Sequence, residues 1–379
     1  MTDSQPQDLS ILDATIPQAA PPQVTVSPTT DTPATIRAED IAFGPVSPGV
    51  EPDFRFKGYA DLSGGAAAPS ANSNKKKLLE ILDSTHLALT QNTQTLDSLR
   101  VLTRFLTSLR NKVDVDDWKH LIQDIILPHP ITKTIHKEPC TFRAFSKPRG
   151  YAGDAVMLDY LYRKKICNSP DPLTQNIAKF VVESDAASSV RSRLQILSQK
   201  IQKKLTENPN LKILSIACGH CIEYELVDQD ILKNSNADLT ALDSDRKSLD
   251  YISYSTCFVN KNILHTSLLD ILSGKIKLKG FDFIYSLGIY DYLNNRIASR
   301  LSKKLVDGLT TKGELLIANF ANTTRDVGYM EGFMAWDLIY RTPEQMLKII
   351  PSLFSDCVKS ITLTPDETGQ IIMTSIIKG

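Results

Sequence analysis

Three short apolar runs end in residues suited to holding a polar ligand: Gly219 after Lys212 to Ala217, Asp243 after Asp238 to Leu242, and Asp270 just beyond Ile263 to Ser267. A glycine closing such a run lets the chain turn tightly and lets a ligand approach its backbone. The free N–H groups of the helical segment that follows face the same place. Asp243 stands 24 positions after Gly219, and a carboxylate there can accept hydrogen bonds from both hydroxyls of an adenosine ribose. Asp245 is near enough to compete for that role. The run Cys218-Gly219-His220-Cys221-Ile222-Glu223 lacks the G-x-G-x-x-G signature of a pyrophosphate cradle. The sequence also has no G-x-x-x-x-G-K-[ST] run for a nucleoside triphosphate and no G-x-S-x-G nucleophile elbow.

A second group of reactive residues lies upstream, in Lys147-Pro148-Arg149-Gly150-Tyr151-Ala152-Gly153-Asp154. Proline and two glycines fix a compact turn, and Asp154 is placed to cap the helix expected from Val156 to Tyr162. A turn that concentrates Arg, Tyr and Asp suits binding, while a plain surface turn is the bland reading. Of the six cysteines only Cys218 and Cys221 have ligand-like spacing, and one C-x2-C without a second pair is a weak metal signal. No metal is expected.

These residues need a scaffold. Leucines recur at helical intervals from Lys75 to about Asn111, with a polar interval at Thr90 to Thr95 that divides the stretch. A second helix over Val115 to Leu127 stops at Pro128 and Pro130. Another helical stretch runs from Leu173 to Leu205, its apolar stripe formed by Ile177, Phe180, Val190, Leu194, Leu197 and Ile201. After Pro209 the pattern changes to short strands alternating with helices. Strands are expected at Lys212 to Ala217, Asp238 to Leu242, Ile263 to Ser267, Phe281 to Tyr285 and Glu314 to Ala318. An antiparallel pair, Ser360 to Thr364 and Gln370 to Ile376, is expected to end the chain. Such alternation predicts a doubly wound, mostly parallel seven-stranded α/β sheet behind an N-terminal helical domain. The divisions are a tail over 1–74, a helical domain over 75–205 and a ligand-binding sheet domain over 206–379.

Ten of the 20 prolines fall in the first 75 residues. That composition predicts a disordered tail, with Phe54 and Tyr59 as docking points for a protein partner. With 43 basic and 43 acidic residues the net charge is zero, so no general field draws the chain onto nucleic acid. No run is long and apolar enough to span a bilayer, and the start, Met1 to Asp8, has no secretory signal, so a cytoplasmic location is expected.

The segment Ile213 to Gly219, with Asp243, Asp270 and Phe281 to Gly288, resembles class I S-adenosylmethionine-dependent methyltransferases over about residues 206 to 379, although Cys221 replaces their usual second glycine. A narrower resemblance spans residues 145 to 379. Lys147 to Asp154, Val190 to Arg193, Ser286 to Leu293 and Trp336 to Arg341 resemble bacterial methyltransferases linked to 3-hydroxy fatty acid methyl ester signals. These resemblances imply S-adenosyl-L-methionine as cofactor. Gly219 and Ala217 would line its methionine portion, Asp243 its ribose, and Asp270 would lie near the adenine, with Leu269 or Ile271 against the ring. Ser286, at the end of the fourth strand, joins this group.

The implied reaction is methyl transfer to a small molecule such as the carboxylate of a lipid-like acid, which is already ionised and needs no base. Arg149, Tyr290 and His220 are the expected catalytic residues. Tyr151, Arg191, Tyr292, Trp336 and Arg341 are expected on the acceptor side, with Trp336 on a helix from Glu331 to Tyr340. For a hydroxyl or amine acceptor, His220, Asp154 and Asp291 are the candidate bases. Glu223 suits a helix cap or a partner for His220. A catalytically inactive cofactor-binding interaction protein is the alternative from another class.

Overall fold

The computed structural model describes residues 71–165, 169–254, 260–350 and 357–379, with positions 71–73 as backbone alone. Residues 1–70, including Phe54 and Tyr59, lie outside the described residues, as do Cys167 and Cys257.

The helical segment opens with α1 (Ala71–Thr90) and α2 (Thr95–Arg110). Leu78, Leu82, Leu89, Leu99, Leu102, Leu106 and Leu109 are buried, as the leucine spacing requires. The expected polar interval separates the helices through left-handed Asn92 and Gln94, φ 50° and 48°. Next come α3 (Val115–Leu121), continued by a π turn over Ile122–Ile126, then α4 (Pro130–Ile135) and α5 (Pro139–Ser146). In α4 and α5 proline occupies the first turn, where a missing N–H costs nothing. α6 (Ala155–Tyr162) is capped by Asp154, whose carboxylate accepts from Met157 N at 2.9 Å. The stretch expected as one helix over Leu173 to Leu205 is divided into α7 (Pro172–Glu183) and α8 (Asp185–Glu207). Ser184 stands extended between them and accepts from Ala187 N, a serine preferring to cap rather than continue a helix.

The sheet contains β1 (Lys212–Ile216), β2 (Asp238–Asp243), β3 (Asn260–His265), β4 (Phe281–Ser286), β5 (Leu309–Phe320), β6 (Val358–Pro365) and β7 (Ile371–Lys378). Their order is β3-β2-β1-β4-β5-β7-β6. Strands β1 to β5 pair in parallel, whereas β7 is antiparallel to both β5 and β6. The predicted terminal pair is present, its turn closed by Asp366 N donating to Ile371 O. Order reverses between β1 and β4, so the loops following these two strands open on a common crevice. Helices α9 (Gln229–Lys233), α10 (Arg246–Tyr254), α11 (Leu268–Leu272) and α12 (Asn295–Gly308) connect the parallel strands. One apolar core joins the sheet to the helical segment, and a second lies on the other face under α11 and α12.

After β5 the chain returns to the helical segment. α13 (Val327–Met334) is buried at every position, packed on α2 and α5. The helix expected from Glu331 to Tyr340 therefore lies earlier: left-handed Ala335, φ 45°, ends it, and Trp336 to Tyr340 run irregularly. A Cβ at Gly328 would sit 2.4 Å from Thr107 N and 2.5 Å from Leu106, so the two helix backbones touch there. Arg110 and Trp118 donate to the Glu331 carboxylate, the indole at 2.6 Å. α14 (Pro343–Lys348) follows, capped by Thr342. Among the described residues no helix is long and apolar enough to cross a membrane.

Candidate functional site

The loop after β1 bends sharply back on itself. Ala217, Gly219 and Cys221 all lie in the left-handed region, φ 51°, 54° and 53°, so alternate residues take a conformation that favours glycine although only the middle one is glycine. Such concentrated backbone strain belongs to functional loops more than to ordinary turns. Gly219 N donates to Asp243 Oδ2 at 2.9 Å, and Asp245 N donates to Asp243 Oδ1 at 2.8 Å. The Asp243 carboxylate is thus fixed by backbone on both oxygens, each keeping a lone pair for another donor. Burial raises its pKa, opposed by these backbone hydrogen bonds.

Asp245 belongs to a different arrangement. Arg149 Nη1 lies 2.8 Å from Asp245 Oδ2 and 3.2 Å from Ser248 Oγ. Burial would raise the Asp245 pKa, but the Ser248 hydroxyl and the Arg149 charge hold it low. Tyr151 lies in the same quarter. Burial, then the nearby Asp243 and Asp245 charges, push its phenol well above the ordinary value. The compact turn therefore brings Arg149 and Tyr151 to the ends of β1 and β2.

His220 links this turn to α6. Its Nδ1 is 2.7 Å from Asp159 Oδ2, its Nε2 is 3.5 Å from Arg149 Nη1, and its ring stacks on Tyr251 at 4.3 Å. The contacts suit the tautomer that donates from Nδ1 to the carboxylate and keeps a lone pair on Nε2.

Beneath the loop lies a cavity reaching from Gly219 and His220 to Gly288, and Tyr162, Arg193 and Glu223 also line it. Arg193 is 2% exposed, and its Nε and Nη1 have no hydrogen-bond partner among the described residues. Asp291 Oδ2 stands 3.9 Å from Nη1, outside hydrogen-bond reach. Tyr285 OH donates to Glu223 Oε1 at 2.5 Å. Burial pushes the Glu223 carboxyl up to about 7, with the Tyr285 hydrogen bond pulling the other way. Neither Arg193 nor Glu223 stood out in the sequence as a ligand residue. The signal for Arg193 was its register: three after Val190 and four before Leu197, it lies on the buried stripe of α8.

Other expected site residues are brought elsewhere. Tyr290 donates to or accepts from Ser302 Oγ at 3.0 Å inside the core on the α12 side; instead of lining a pocket, it packs where its large ring is fully buried. Arg191 gives Nη1 to Leu161 O and Nη2 to Ser188 Oγ. Arg341, 1% exposed, gives its donors to the carbonyls of Tyr290 and Leu293 and to the side chains of Asn319 and Asn295. Trp336 Nε1 donates to Tyr292 OH at 2.8 Å, and both rings press on Gly153, where a Cβ would lie 2.9 Å from the phenol oxygen. Ser286 Oγ donates to Ile216 O, tying the ends of β4 and β1.

Asp270 forms a capping box with Ser267 at the start of α11 and also bonds Lys275 and Thr266. Ser267 foremost holds its carboxyl well below the usual carboxylate range. Next to it Leu269 is 72% exposed while Ile271 is buried, so Leu269 is the one free to meet a flat ring. Cys218 and Cys221 are free, buried thiols within hydrogen-bonding reach of each other.

No protein-family model matches the sequence, and no curated protein matches it. Among solved structures, one similar chain is a Bordetella parapertussis protein described as a "possible exported protein", 13% identical, with a TM-score of 0.51, covering 82% of this chain and 97% of that one. Magnesium protoporphyrin IX methyltransferase of Synechocystis PCC 6803 with bound SAH is 12% identical, with a TM-score of 0.38 and coverage of 59% and 98%. The N-methyltransferase NodS of Bradyrhizobium japonicum WM9 with S-adenosyl-l-homocysteine is 12% identical, with a TM-score of 0.37 and coverage of 58% and 97%. The first likeness is one of fold, and the other two are too distant to carry more. The seven-stranded sheet, with its antiparallel seventh strand and N-terminal helical region, has the class I methyltransferase Rossmann-like fold.

Proposed function

We propose that the chain is an S-adenosyl-L-methionine-dependent methyltransferase acting on a small molecule, with the carboxylate of a hydroxylated fatty acid or related acid as the acceptor. The observation that carries this reading is the Asp243 carboxylate, held by Gly219 N and Asp245 N at the end of β2, next to the loop that follows β1. That arrangement offers a fixed anionic acceptor to paired ribose hydroxyls beside a glycine where a ligand can lie against the backbone.

The residues present fit the cofactor. Gly219, left-handed at φ 54°, lines the cavity together with Ala217 and His220, and a Cβ there would meet Ala155 Cβ on α6 at an ordinary 3.4 Å, so its backbone conformation is what favours glycine. Asp243 would hold the ribose, exposed Leu269 would cover one face of the adenine, and the cavity by Gly219 would take the methionine end. The bound cofactor supplies an electrophilic methyl group on a sulfonium. The chain's task is then to align an acceptor and exclude water, an effect for which alignment alone is worth on the order of 10^5 M in effective molarity. An acid arrives ionised and needs no base. Of the three arginines expected to meet it, Arg191 gives Nη1 and Nη2 to protein groups and Arg341 gives Nε, Nη1 and Nη2, while among the described residues Arg149 bonds through Nη1 alone, which leaves Nε and Nη2 for a second anion.

The His220–Asp159 pair favours a second reading, methylation of a hydroxyl or amine. An imidazole whose Nδ1 is engaged by a carboxylate can take a proton at Nε2 once Arg149 moves aside. Calorimetric titration of the full chain with S-adenosylmethionine and S-adenosylhomocysteine tests the cofactor assignment, and a screen of acids against matched alcohols and amines separates the two acceptor readings. Saturable binding of both nucleosides is expected; no binding by folded protein would overturn the assignment.

A further inference from the structure

Cys218 and Cys221 form a pair that the proposed methyl transfer does not use. They bracket Gly219 and His220, and Cys221 N donates to Cys218 O at 3.1 Å, so the four residues make one closed turn. Their thiols are free, buried and within hydrogen-bonding reach of each other. Cysteines at this spacing can close to a disulfide when their sulfurs meet, and among the described residues no larger cluster of metal-ligand side chains gathers on them. Cys221 also holds its side chain on a left-handed backbone, φ 53°, where glycine would be unstrained. What the strained position keeps in place is a sulfur facing Cys218.

We propose that Cys218 and Cys221 are a reversible redox switch, closed to a disulfide by hydrogen peroxide, and that the closed loop binds the cofactor less well. The proposal rests on the cofactor reading above, because the loop it regulates is the one assigned to the cofactor. Both cysteines line the cavity beneath that loop, about 60 Å³ in volume, which admits a molecule little larger than water. Cys218 is the attacking sulfur. Burial raises its thiol, but the hydrogen bond from Cys221 eases it, whereas that bond and burial together raise Cys221. The Cys218 thiol gives its proton to water, and its thiolate attacks one peroxide oxygen. The O–O bond breaks, hydroxide leaves, and Cys218 becomes a sulfenic acid. The Cys221 sulfur then attacks the sulfenic sulfur, and its proton departs with the sulfenic hydroxyl as water. Two thiols and one peroxide thus give one disulfide and two waters.

The effect on the cofactor follows from the bonds of the loop. The sulfurs must close from hydrogen-bonded contact to about 2 Å. Carried with them are Gly219, whose N–H holds Asp243 at 2.9 Å, and His220, whose ring is tied to Asp159 at 2.7 Å. A turn with left-handed residues at 217, 219 and 221 has little slack, so closure draws Gly219 N away from Asp243 and releases the carboxylate assigned to the ribose.

The test compares the full chain reduced, treated with hydrogen peroxide, and reduced again with dithiothreitol. Peptide mapping should find Cys218 joined to Cys221 after peroxide and free after dithiothreitol. Calorimetry should find S-adenosylhomocysteine bound about tenfold more weakly by the oxidised chain, the loss of one charge-assisted contact, with affinity restored on reduction. Cys221→Ser cannot close and should keep its affinity under the same treatment. Wild-type thiols that stay free under peroxide would overturn the proposal, whether or not the variant folds. So would a mapped disulfide that leaves affinity unchanged, or an equal loss in Cys221→Ser. A reduced chain that binds no S-adenosylhomocysteine would defeat the cofactor reading itself, and is told apart from failure of the switch because it appears before any peroxide is added.

Discussion

Arg149 and Asp245 form a 2.8 Å ion pair that joins the turn after α5 to the turn after β2. Only 16% and 12% of the two side chains is exposed, so solvent screens the pair weakly. Arg149→Met should lower unfolding stability by roughly 1–3 kcal/mol, the usual worth of a charged hydrogen bond. Because Nε and Nη2 face no protein partner among the described residues, methylation of acids should fall further than methylation of matched neutral acceptors, with lysine retaining part of the difference. Turnover assays with paired acid and neutral substrates check this, and equal losses for both would leave Arg149 a purely structural tie.

Asp243→Ala should weaken binding of S-adenosylhomocysteine by about 1.5–3 kcal/mol, because a buried charged acceptor and the anchor of Gly219 N are lost together. Calorimetry with a circular dichroism control would measure it. Unchanged affinity in folded protein would shift the ribose assignment to Asp245.

The Glu223 carboxyl, ordinarily near 4.5, titrates at about 7 in the folded chain because it is buried. Between those values the folded state holds a proton that the unfolded state has released. Stability from this group is therefore full below about pH 4.5 and is lost as pH rises through about 7, by roughly 3 kcal/mol. Glu223→Gln should flatten that part of the profile and be the more stable protein at pH 8. Urea unfolding of both proteins from pH 5 to 8 tests this, parallel profiles being the adverse result.

Two glycines on α13 should behave oppositely. At Gly328 an added methyl meets the backbone of α2 at 2.4 Å, whereas at Gly332 it meets Ile126 Cδ1 at 3.6 Å, an ordinary contact. Gly328→Ala should cost more than about 3 kcal/mol or prevent folding, while Gly332→Ala should be neutral or gain up to about 1 kcal/mol in helix propensity. Thermal unfolding distinguishes them, and similar melting temperatures would refute the close crossing.

Cys221, left-handed at φ 53°, should accept glycine better than valine. Cys221→Gly is expected within about 1 kcal/mol of wild type, and Cys221→Val to lose at least about 1–2 kcal/mol. Chemical denaturation of the pair would show whether the loop imposes that conformation.

The sheet was legible because each parallel strand is a short apolar run ended by a turn signal, and period and length suffice to find such runs. Strand β5 is longer than expected because its first residues, Leu309 to Gly313, include polar positions tolerated at the start of the strand. The loop residues Gly219 and Asp243 could be picked out by position alone. Asp159 could not, since nothing local distinguishes its charge from one in solvent, and for Arg193 the register on the buried stripe of α8 signals burial but not a ligand. Tyr290 was misread for a related reason: following β4 fixes its place along the sheet but not the face on which its ring packs. Helices α4 and α5 are too short for periodicity to reveal. The displacement of α13 from the expected helix follows from one residue, Ala335, whose left-handed backbone carries no sequence signal.

The return of α13 into the helical segment has a consequence for synthesis. The hydrogen bond from Gly328 N to Thr107 Oγ1 spans 221 residues, so the groove between α2 and α5 stays open until most of the chain has left the ribosome. The helices made first cannot complete their interior by themselves, and contacts so distant in sequence form slowly. A nascent chain ending at residue 320 is accordingly expected to be cut readily by protease within α2 and α5, and one ending at residue 340 to be protected in those two helices although β6 and β7 are still missing. An equally tight shorter chain would mean that the groove closes unaided. With α13 in place, the helices first made are bound to the sheet by contacts made late in synthesis, so the two should melt together as a single unit.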